Sequence, residues 1–330
     1  MKSVAVCAIL GNGGWGTALA IHLAKRGSSV RLWGAFEGEI AQIAKSRKNA
    51  KYLPGVAVPR SVQVTAYIEE ALSGAEVVVF AAPSQYLRGV LRSVSGLMPV
   101  HAIALNVAKG IEQRTHKRMS EVVREVLGKV AYAVLSGPSI AAEVAQGKPA
   151  SVVAASSSLS VAQKIQALFM NEQLRVYTST DVIGVELGGS LKNPIAIAAG
   201  VCDGLGLGAN AKAALITRGV VEMSRLGVAL GAKEQTFWGL SGLGDLVTTC
   251  FGGRNRWLGE QIGRGKSLQS ILASTPMIIE GVDTAKSSAA LAKSVGVELP
   301  IIEQVCAVLF SKRTTYQALA ALMRRTGKAE

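Results

Sequence analysis

Short apolar runs recur along the first half of the chain, separated by stretches in which apolar residues have helical spacing. Eight of these runs predict strands, at residues 3–9, 30–33, 62–65, 76–81, 102–106, 131–135, 150–155 and 174–178. Several of them, such as the run from Val77 to Phe80, are apolar at every position, which is typical of strands buried on both faces of a parallel sheet. Because helical stretches of roughly 8 to 15 residues alternate with the strands, the pattern predicts βαβ units.

The pattern changes near residue 181, beyond which no further strand is predicted. Apolar residues at helical spacing instead predict helices, among them the stretches 211–230, 255–265, 283–296 and 300–312. A chain of 330 residues is longer than one hydrophobic core usually serves, so two domains are expected. We therefore predict an α/β domain over residues 1–180 and an all-α domain over residues 181–330.

The segment LGNGGWGTALA joins the first predicted strand to the first predicted helix. Its glycines Gly11, Gly13 and Gly16 fit the spacing G-x-G-x-x-G. In that motif the first glycine permits a tight turn, the second lets the backbone approach a pyrophosphate, and the third allows close packing of helix on strand. The helix N-terminus adds N–H donors for phosphate. Since strand and helix flank the glycines, a glycine-rich turn without a ligand is the weaker interpretation, and we predict a Rossmann-type domain that binds NAD or NADP.

The residues that follow the second strand normally distinguish the two dinucleotides. An acid there binds the ribose 2′-hydroxyl of NAD, and a nearby arginine accommodates the 2′-phosphate of NADP. Here the predicted strand is followed by Gly34 and Ala35, the first acid is Glu37, and Arg31 lies within the strand. The sequence therefore leaves the preference between NAD and NADP open.

Positive charge is the main feature of the composition, with 36 Lys and Arg against 22 Asp and Glu and a formal net charge of +14. This balance is compatible with nucleic acid, a membrane surface or an anionic small molecule as partner. The basic residues are spread along the chain and aromatic residues make up only 5%, which disfavours a base-stacking platform. We expect an anionic small-molecule substrate and no nucleic-acid partner.

Cysteine use and the length of the apolar runs bear on the cellular compartment. The four cysteines are scattered, without a C-x-x-C pair or a nearby histidine, which disfavours a zinc site and a disulfide framework and indicates reduced thiols. The longest apolar stretches, about 10 residues, are too short to cross a bilayer, and the N-terminal run lacks the form of a signal peptide. We expect a cytoplasmic protein with no metal and no integral membrane segment.

Two lysines are candidates for proton transfer. Oxidation of a carbinol requires a base for the hydroxyl proton and charge stabilisation at the developing oxygen, and desolvation or a neighbouring cation can lower the pKa of a lysine for this purpose. Lys109 comes just after a predicted strand, at the edge where ligands bind in such sheets. Lys192 lies in the small and apolar stretch ELGGSLKNPIAIAAG, where an ordinary surface role does not account for it.

Further polar residues accompany these lysines. Asp245 lies in GLSGLGDLVTTC, where it would either cap a helix or orient an ammonium or a substrate hydroxyl. Arg254 and Asn255 belong to GGRNRWLG; arginine suits bidentate phosphate binding, and a solvated basic turn is the alternative. Gly137 and Ser139 follow a predicted strand in LSGPSIAAEV, a position suited to an anion or a ribose.

Many of these segments follow one another in the order known from a single enzyme family. They are ILGNGGWGTALA, AAPSQYLRGVL, NVAKGIE, LSGPSIAAEVAQGKPASVV, ELGGSLKNPIAIAAGVCDGLGLGANAKAALITRGVVEM, GLSGLGDLVTTC, GRNR and IEGVDTA. Over nearly the whole chain they resemble the bacterial NAD(P)-dependent glycerol-3-phosphate dehydrogenases. The resemblance implies reversible hydride transfer between NAD(P)H and dihydroxyacetone phosphate, giving sn-glycerol 3-phosphate for phospholipid synthesis, and it implies a homodimer.

The resemblance also implies a role for each matching residue. Lys192 would be the general acid and base, with Lys109 and Asp245 completing the reacting centre. The residues implied to contact the substrate are Lys109, Gly137, Ser139, Lys192, Asp245, Arg254 and Asn255. The residues implied to contact the cofactor are Gly11, Gly13, Gly14, Trp15, Gly16, Lys109, Ala141, Arg254, Ile278 and Glu280.

Three features depart from the family pattern. Ala35 stands where the family usually carries an arginine. The segment between Cys250 and Arg254 is shorter than usual, with Gly253 in place of a serine. Pro194 follows the Lys192-Asn193 pair; because proline disfavours helical geometry in the preceding residue and lacks an N–H, we expect a helix to start or kink there.

Three alternative functions are less well supported by the sequence than the activity that the resemblance implies. A dehydrogenase of the same design could act on a hydroxy acid or a hydroxyacyl thioester, and competition by simple phosphates would distinguish it. A non-catalytic dinucleotide sensor would bind NAD(P)H without turnover, although the joint presence of Lys109, Lys192 and Asp245 argues against it. A nucleic-acid binder is suggested by charge alone and would show salt-sensitive retention of DNA.

Overall fold

The computed structural model describes residues 5–327, so Ser3 and Val4 of the first predicted strand lie outside it. The chain divides into two compact units. The first comprises the chain up to Lys109 together with Arg118–Val185, and the second comprises Gly110–Lys117 together with the chain from Glu186 onward. The short segment Gly110–Lys117 thus groups with the second unit, although its place in the sequence is among the strands of the first.

The first unit is built on a sheet of eight strands. They are β1 (Val6–Leu10), β2 (Ser29–Trp33), β5 (Val62–Thr65), β6 (Val77–Phe80), β7 (Ile103–Asn106), β8 (Ala131–Ser136), β9 (Ala150–Ala155) and β10 (Leu174–Ser179). Their order across the sheet is β10-β9-β8-β7-β6-β1-β2-β5. Each of the eight predicted strands is therefore present, with bounds that differ by a few residues at most.

The sheet is mixed rather than wholly parallel. The strands from β5 to β8 pair in parallel, whereas β9 pairs antiparallel with β8 and parallel with β10. The prediction of a parallel sheet is thus confirmed for six strands and wrong for β9 and β10. Apolar patterning does not reveal this reversal, because a strand buried on both faces has the same pattern in either direction.

Alternate residues of β1, an interior strand of the sheet, enter two separate cores. Cys7 and Ile9 of β1 belong to one buried cluster, and Ala8 and Leu10 belong to another. Helices cover both faces of the sheet, and they are α1 (Gly14–Lys25), α2 (Glu37–Ser46), α3 (Ile68–Leu72), α4 (Ser84–Val94), α5 (Met119–Leu127), α6 (Ala141–Ala145) and α7 (Leu159–Phe169). This arrangement explains why β1 is apolar at successive positions, since both of its faces are buried.

A small antiparallel hairpin lies between β2 and β5 in the chain and was not predicted from the sequence. Its strands are β3 (Lys48–Asn49) and β4 (Leu53–Ala57), which pair only with each other. Pro54 and Gly55 lie within β4, and both residue types are depleted in strands. Local composition therefore indicates a loop, although the hairpin lies against the glycine-rich loop, where Asn49 Nδ2 donates to the carbonyl oxygen of Asn12.

From residue 186 onward, the regular secondary structure described in the second unit is helical, whereas its segment Gly110–Lys117 contains no helix. Its helices are α8 (Val182–Gly204, which starts in the first unit), α9 (Gly208–Ala229), α10 (Glu234–Trp238), α11 (Asp245–Phe251), α12 (Arg254–Gly263), α13 (Leu268–Ala273), α14 (Glu280–Ser294), α15 (Pro300–Phe310) and α16 (Thr315–Met323). A π-helical turn, Leu240–Gly244, precedes α11. Over residues 5–327, no helix is both long enough and apolar enough to cross a membrane.

Helix α8 runs through Pro194 without ending. The helix is continuous over Val182–Gly204 with the proline inside it, so the expected helix start at this proline is wrong, while the alternative of a kink there stays a prediction. An internal proline costs about 3 kcal/mol of helix stability. Residues 185–197 of α8 are buried, and the burial of these side chains offsets that cost.

Helices α8 and α12 approach each other at backbone contact distance. A Cβ built on Gly200 would overlap the carbonyl oxygen of Arg256, and one built on Gly259 would overlap that of Ile197. Gly204 and Gly263, one turn further along each helix, face each other in the same way. Glycine at these positions is therefore a packing requirement, and it determines how closely α12 lies beside α8.

Candidate active site

The glycine-rich loop between β1 and α1 has a separate reason for each glycine. Gly11 has φ of +129°, and a Cβ there would lie 2.7 Å from the carbonyl carbon of Ala81. A Cβ on Gly16 would overlap the carbonyl oxygen of Gly11. By contrast, a Cβ on Gly13 would meet nothing within 4 Å. The fold thus requires the outer two glycines, while Gly13 leaves backbone accessible at the helix N-terminus, as phosphate binding needs.

The start of α1 is enclosed by two neighbouring segments. A Cβ on Gly14 would lie 2.7 Å from the carbonyl oxygen of Tyr52 and 3.8 Å from Cβ of Ala141. Trp15 follows, and its indole Nε1 is buried without a hydrogen-bond partner among the described residues. A buried, unsatisfied N–H donor is uncommon in folded proteins and requires a physical explanation, and a bound polar ligand would provide one.

Lys109 lies at the end of β7 beside the segment that follows β8. Its Nζ donates to the carbonyl oxygen of Gly137 at 2.9 Å and to Ser139 Oγ at 3.4 Å. Gly137 has φ of +134°, and a Cβ there would lie 3.0 Å from Cα of Val152, so only glycine fits. Because β7 and β8 are parallel neighbours, these predicted site residues meet at the carboxyl edge of the sheet.

Lys192 and Asp245 form a buried ion pair in the second unit. The two residues are 5% and 2% exposed, and Lys192 Nζ lies 2.5 Å from Asp245 Oδ1. Lys192 Nζ also donates to Thr249 Oγ1 at 2.7 Å, while that hydroxyl donates to the carbonyl oxygen of Asp245 at 2.7 Å. Asp245 is the first residue of α11 rather than its N-cap, and its carboxylate pairs with the Lys192 ammonium.

Close backbone packing brings this pair together. A Cβ on Gly188 of α8 would lie 2.6 Å from the carbonyl oxygen of Ser241 in the π-helical turn. Lys192 is one helical turn beyond Gly188, and Asp245 directly follows the π-helical turn. π-Helical turns occur often at functional sites, and here the turn sets the position from which Asp245 reaches Lys192.

Arg254 and Asn255 begin α12, close to the start of α14. Arg254 Nη1 donates to the carbonyl oxygen of Ile278 at 2.8 Å. Asn255 Nδ2 donates to Asn193 Oδ1 at 2.8 Å, and Asn255 Oδ1 accepts from the backbone N–H of Gly281 at 3.0 Å. The predicted site residues Arg254, Asn255, Ile278 and Glu280 therefore lie in one region of the second unit.

The short connection before Arg254 depends on glycine. Only Gly252 and Gly253 join α11 to α12, and Gly253 has φ of +92° with no atom within 4 Å of a built Cβ. A serine at this position would be strained by the positive φ. The short connection places Arg254 at the first position of its helix.

Two polar residues of this region were missed by the sequence analysis. Thr249 contacts Lys192, and Asn193 contacts Asn255. Thr249 lies four residues after Asp245, so both point from one face of α11, and that spacing was a detectable signal. No local pattern marks Asn193, because its partner is 62 residues away.

The surroundings of His22 and of the four cysteines indicate structural roles. His22 Nε2 lies 2.6 Å from the carbonyl oxygen of Phe169, and its ring stacks on that residue. All four cysteines are free thiols, and burial raises the pKa of Cys7 and of Cys250 to about 12. Among residues 5–327 there is no cluster of three or more His, Cys, Asp or Glu side chains suited to a metal ion.

The sheet with its glycine-rich loop binds a dinucleotide in this fold class, and a buried lysine held by an aspartate is a group able to move a proton to or from a substrate oxygen. The class of protein so defined is an NAD(P)-dependent oxidoreductase acting on a CH–OH group. More particularly, the chain belongs to the NAD-dependent glycerol-3-phosphate dehydrogenases, whose N-terminal and C-terminal family models match residues 6–162 and 181–320.

Individual relatives extend this match over the full length. The chain is 49% identical over 327 residues to a glycerol-3-phosphate dehydrogenase (NAD(P)+) of Chlorobium phaeobacteroides, with 98% of each chain covered. It is 48% identical to the enzyme of the same name from Geobacillus kaustophilus, covering 98% of this chain and 95% of the relative. Among solved structures, glycerol-3-phosphate dehydrogenase from Coxiella burnetii is 37% identical with a TM-score of 0.94, covering 97% of this chain and 98% of that one. The predicted fold class and family are confirmed.

Proposed function

We propose that this protein transfers a hydride reversibly between NAD(P)H and dihydroxyacetone phosphate, giving sn-glycerol 3-phosphate. The observation that carries the proposal is the buried ammonium of Lys192, held 2.5 Å from the Asp245 carboxylate, in a chain of this family. When bound, the dinucleotide supplies or accepts the hydride. The remaining requirements of the reaction are a proton at the substrate oxygen, a grip on the phosphate and a cradle for the pyrophosphate.

Proton transfer is assigned to Lys192. The charge that develops on the carbonyl oxygen during reduction requires a donor, and in oxidation the same Nζ takes the hydroxyl proton. Asp245 stabilises the ammonium and Thr249 fixes its direction through bonds of 2.5 and 2.7 Å. A donor oriented in advance loses little entropy when the substrate arrives. Lys109 completes the reacting centre as a second positive charge.

Substrate and cofactor contacts are assigned to the other predicted residues. Arg254 holds the substrate phosphate, since its guanidinium fits a phosphate bidentately. The further substrate contacts are Lys109, Gly137, Ser139, Lys192, Asp245 and Asn255. The dinucleotide contacts are Gly11, Gly13, Gly14, Trp15, Gly16, Lys109, Ala141, Arg254, Ile278 and Glu280. The accessible backbone at Gly13 and the buried Nε1 of Trp15, which has no hydrogen-bond partner among residues 5–327, support a ligand at the glycine-rich loop.

The same proposal extends to the setting of the enzyme. Residues 1–180 form the dinucleotide-binding domain and residues 181–330 the substrate-binding and catalytic domain. The protein acts in the cytoplasm as a homodimer, and its product enters phospholipid synthesis. Family membership and the lack of a membrane-spanning helix among the described residues support this assignment.

The test is absorbance at 340 nm with dihydroxyacetone phosphate and either NADH or NADPH. A fall in absorbance with either dinucleotide is the expected result, and added inorganic phosphate should compete with the substrate. Dinucleotide binding without any oxidation would contradict the proposal and favour a sensor. If oxidation of NADH or NADPH instead requires the keto acid that corresponds to a hydroxy acid, and is insensitive to phosphate, the substrate would have to be reassigned.

A further inference from the structure

The end of β2 cannot present the side chain that usually selects the dinucleotide. Gly34 is buried, and a Cβ there would lie 2.7 Å from both Asn12 Oδ1 and Ile40 Cδ1. Ala35 is exposed but carries only a methyl group. Neither position therefore provides an acid for the ribose 2′-hydroxyl or a cation for a 2′-phosphate.

A carboxylate from α2 is brought to this place by the glycine-rich loop. Asn12, between Gly11 and Gly13, fills the space beside Gly34 and donates through Nδ2 to Glu39 Oε2 at 3.1 Å. The other oxygen of Glu39 accepts from Lys51 Nζ at 2.7 Å. The bond from Lys51 lowers the pKa of Glu39, which keeps the carboxylate charged.

The hairpin of β3 and β4 holds Lys51 beside the loop. Asn49 is 2% exposed, and its Nδ2 donates to the carbonyl oxygen of Asn12 at 2.7 Å and to Thr17 Oγ1 at 2.8 Å. Its Oδ1 accepts from the backbone N–H of Tyr52 at 3.2 Å. The turn that carries Lys51 is thus tied to the loop by buried bonds on one side and by Glu39 on the other.

We propose that Glu39 and Lys51 together read the 2′ position of the adenosine ribose. Glu39 accepts from the 2′-hydroxyl of NAD(H), and Lys51 pairs with the 2′-phosphate of NADP(H). This inference rests on the proposed function and names the specificity-determining residues of its dinucleotide site. The pair contains both charges, so one site serves both dinucleotides without an acid or an arginine directly after β2.

Because the Glu39–Lys51 pair is partly exposed, replacing Glu39 by a 2′-phosphate as the partner of Lys51 costs little free energy. The Lys51 and Glu39 side chains are 46% and 25% exposed, and an ion pair in contact with water contributes little to stability. A 2′-phosphate carries more charge than the carboxylate and more acceptor oxygens, so it competes well for the ammonium. Glu39 keeps its bond from Asn12 when Lys51 turns away.

Two small ligands isolate the 2′ position, namely AMP and adenosine 2′,5′-bisphosphate, with binding measured by calorimetry. Lys51→Met keeps the length of the side chain and removes its charge. We expect it to weaken bisphosphate binding about tenfold, because a charge-assisted bond is lost, and to change AMP binding less than about twofold. Glu39→Gln should tighten bisphosphate binding, since the competing carboxylate charge is gone.

Lys45→Met is the matched control, because Lys45 lies on the same helix as Glu39 and the change in net charge is identical. It should leave the ratio of the two affinities at the wild-type value. Equal weakening of both ligands by Lys51→Met, or no change in either, would overturn the inference, as would a wild-type protein that binds neither. Lys51→Met could shift the ratio of the two affinities as expected while the wild type fails to oxidise NADH and NADPH with dihydroxyacetone phosphate. In that case the proposed function is wrong, and the inference that Glu39 and Lys51 recognise the 2′ position is supported.

Discussion

Lys192 Nζ lies 2.5 Å from Asp245 Oδ1 although the two residues are 53 positions apart in the chain. Both side chains are almost fully buried. Removing two charges from water is costly, and such a pair often contributes nothing net to stability. Since stability does not account for a buried ion pair, we assign the Lys192–Asp245 pair a role in catalysis. The first prediction tests this assignment.

Lys192→Met should lower kcat by about 10²–10⁴-fold, the usual contribution of a general acid or base. Dinucleotide binding, followed by quenching of tryptophan fluorescence, should remain close to the wild-type value. The variant should also melt at a lower temperature, because the buried Asp245 carboxylate loses the Lys192 ammonium. The double variant Lys192→Met/Asp245→Asn separates the two effects: its Tm should recover while its kcat does not. Near-normal turnover in the single variant would remove Lys192 from the mechanism.

Arg254→Ala should raise KM for dihydroxyacetone phosphate by roughly 10- to 100-fold, the equivalent of one charge-assisted phosphate contact. Steady-state kinetics at saturating dinucleotide measure the change. Arg264→Ala is the control, because Arg264 follows the same helix, is exposed and pairs only at the surface with Glu260 at 2.5 Å. An unchanged KM in the Arg254 variant would mean that another group holds the phosphate.

Glu222 should make the stability of the protein depend on pH. This residue of α9 is 4% exposed and accepts from the backbone N–H of Ile301 at 2.7 Å at the start of α15. Burial raises the pKa of Glu222 from 4.5 to about 7, against the opposing effect of the backbone bonds. The folded state therefore binds the proton more tightly than the unfolded state does.

The free energy of unfolding should consequently fall as pH rises from about 4.5 to about 7, by an amount on the order of 3 kcal/mol from this group. Denaturant titrations at several pH values measure this fall against the contributions of the other groups. Glu222→Gln keeps an acceptor oxygen for α15 and cannot ionise, so the difference between variant and wild type should grow with pH in this window. A constant difference would mean that Glu222 does not titrate there.

Gly259→Ala should reduce both stability and turnover. The new Cβ would overlap the carbonyl oxygen of Ile197, and relief of such overpacking typically costs about 1–3 kcal/mol. The shift would move α12, which carries Arg254, away from α8, which carries Lys192. Gly89→Ala is the matched control: Gly89 is an exposed residue of α4 with no atom within 4 Å of a built Cβ, so alanine should stabilise by roughly 0.5–1 kcal/mol. Equal behaviour of the two variants in thermal melts would contradict the close packing of α8 and α12.

Much of the fold was predictable because its signals are local. The strands of the sheet are short apolar runs, and burial on both faces makes each run visible by itself. The hairpin of β3 and β4 was not visible, since Pro54 and Gly55 weaken its strand pattern and it is held by contacts to the distant loop at Asn12. The reversal of β9 and β10 was also hidden, because direction leaves no trace in an apolar run.

The sequence by itself determined the alternation of strands and helices, the glycine-rich loop and the residue types that chemistry requires, because each depends on neighbours a few positions apart. Only the tertiary structure decided which of these groups meet. In the folded protein Asp245 pairs with Lys192 instead of capping a helix. Burial of α8 allows the helix to continue through Pro194. Glu39 and Lys51 pair beside Asn12, near the end of β2. The physical reason is that these pairings depend on long-range packing, in which backbone contact at glycines and buried hydrogen bonds outweigh local preference.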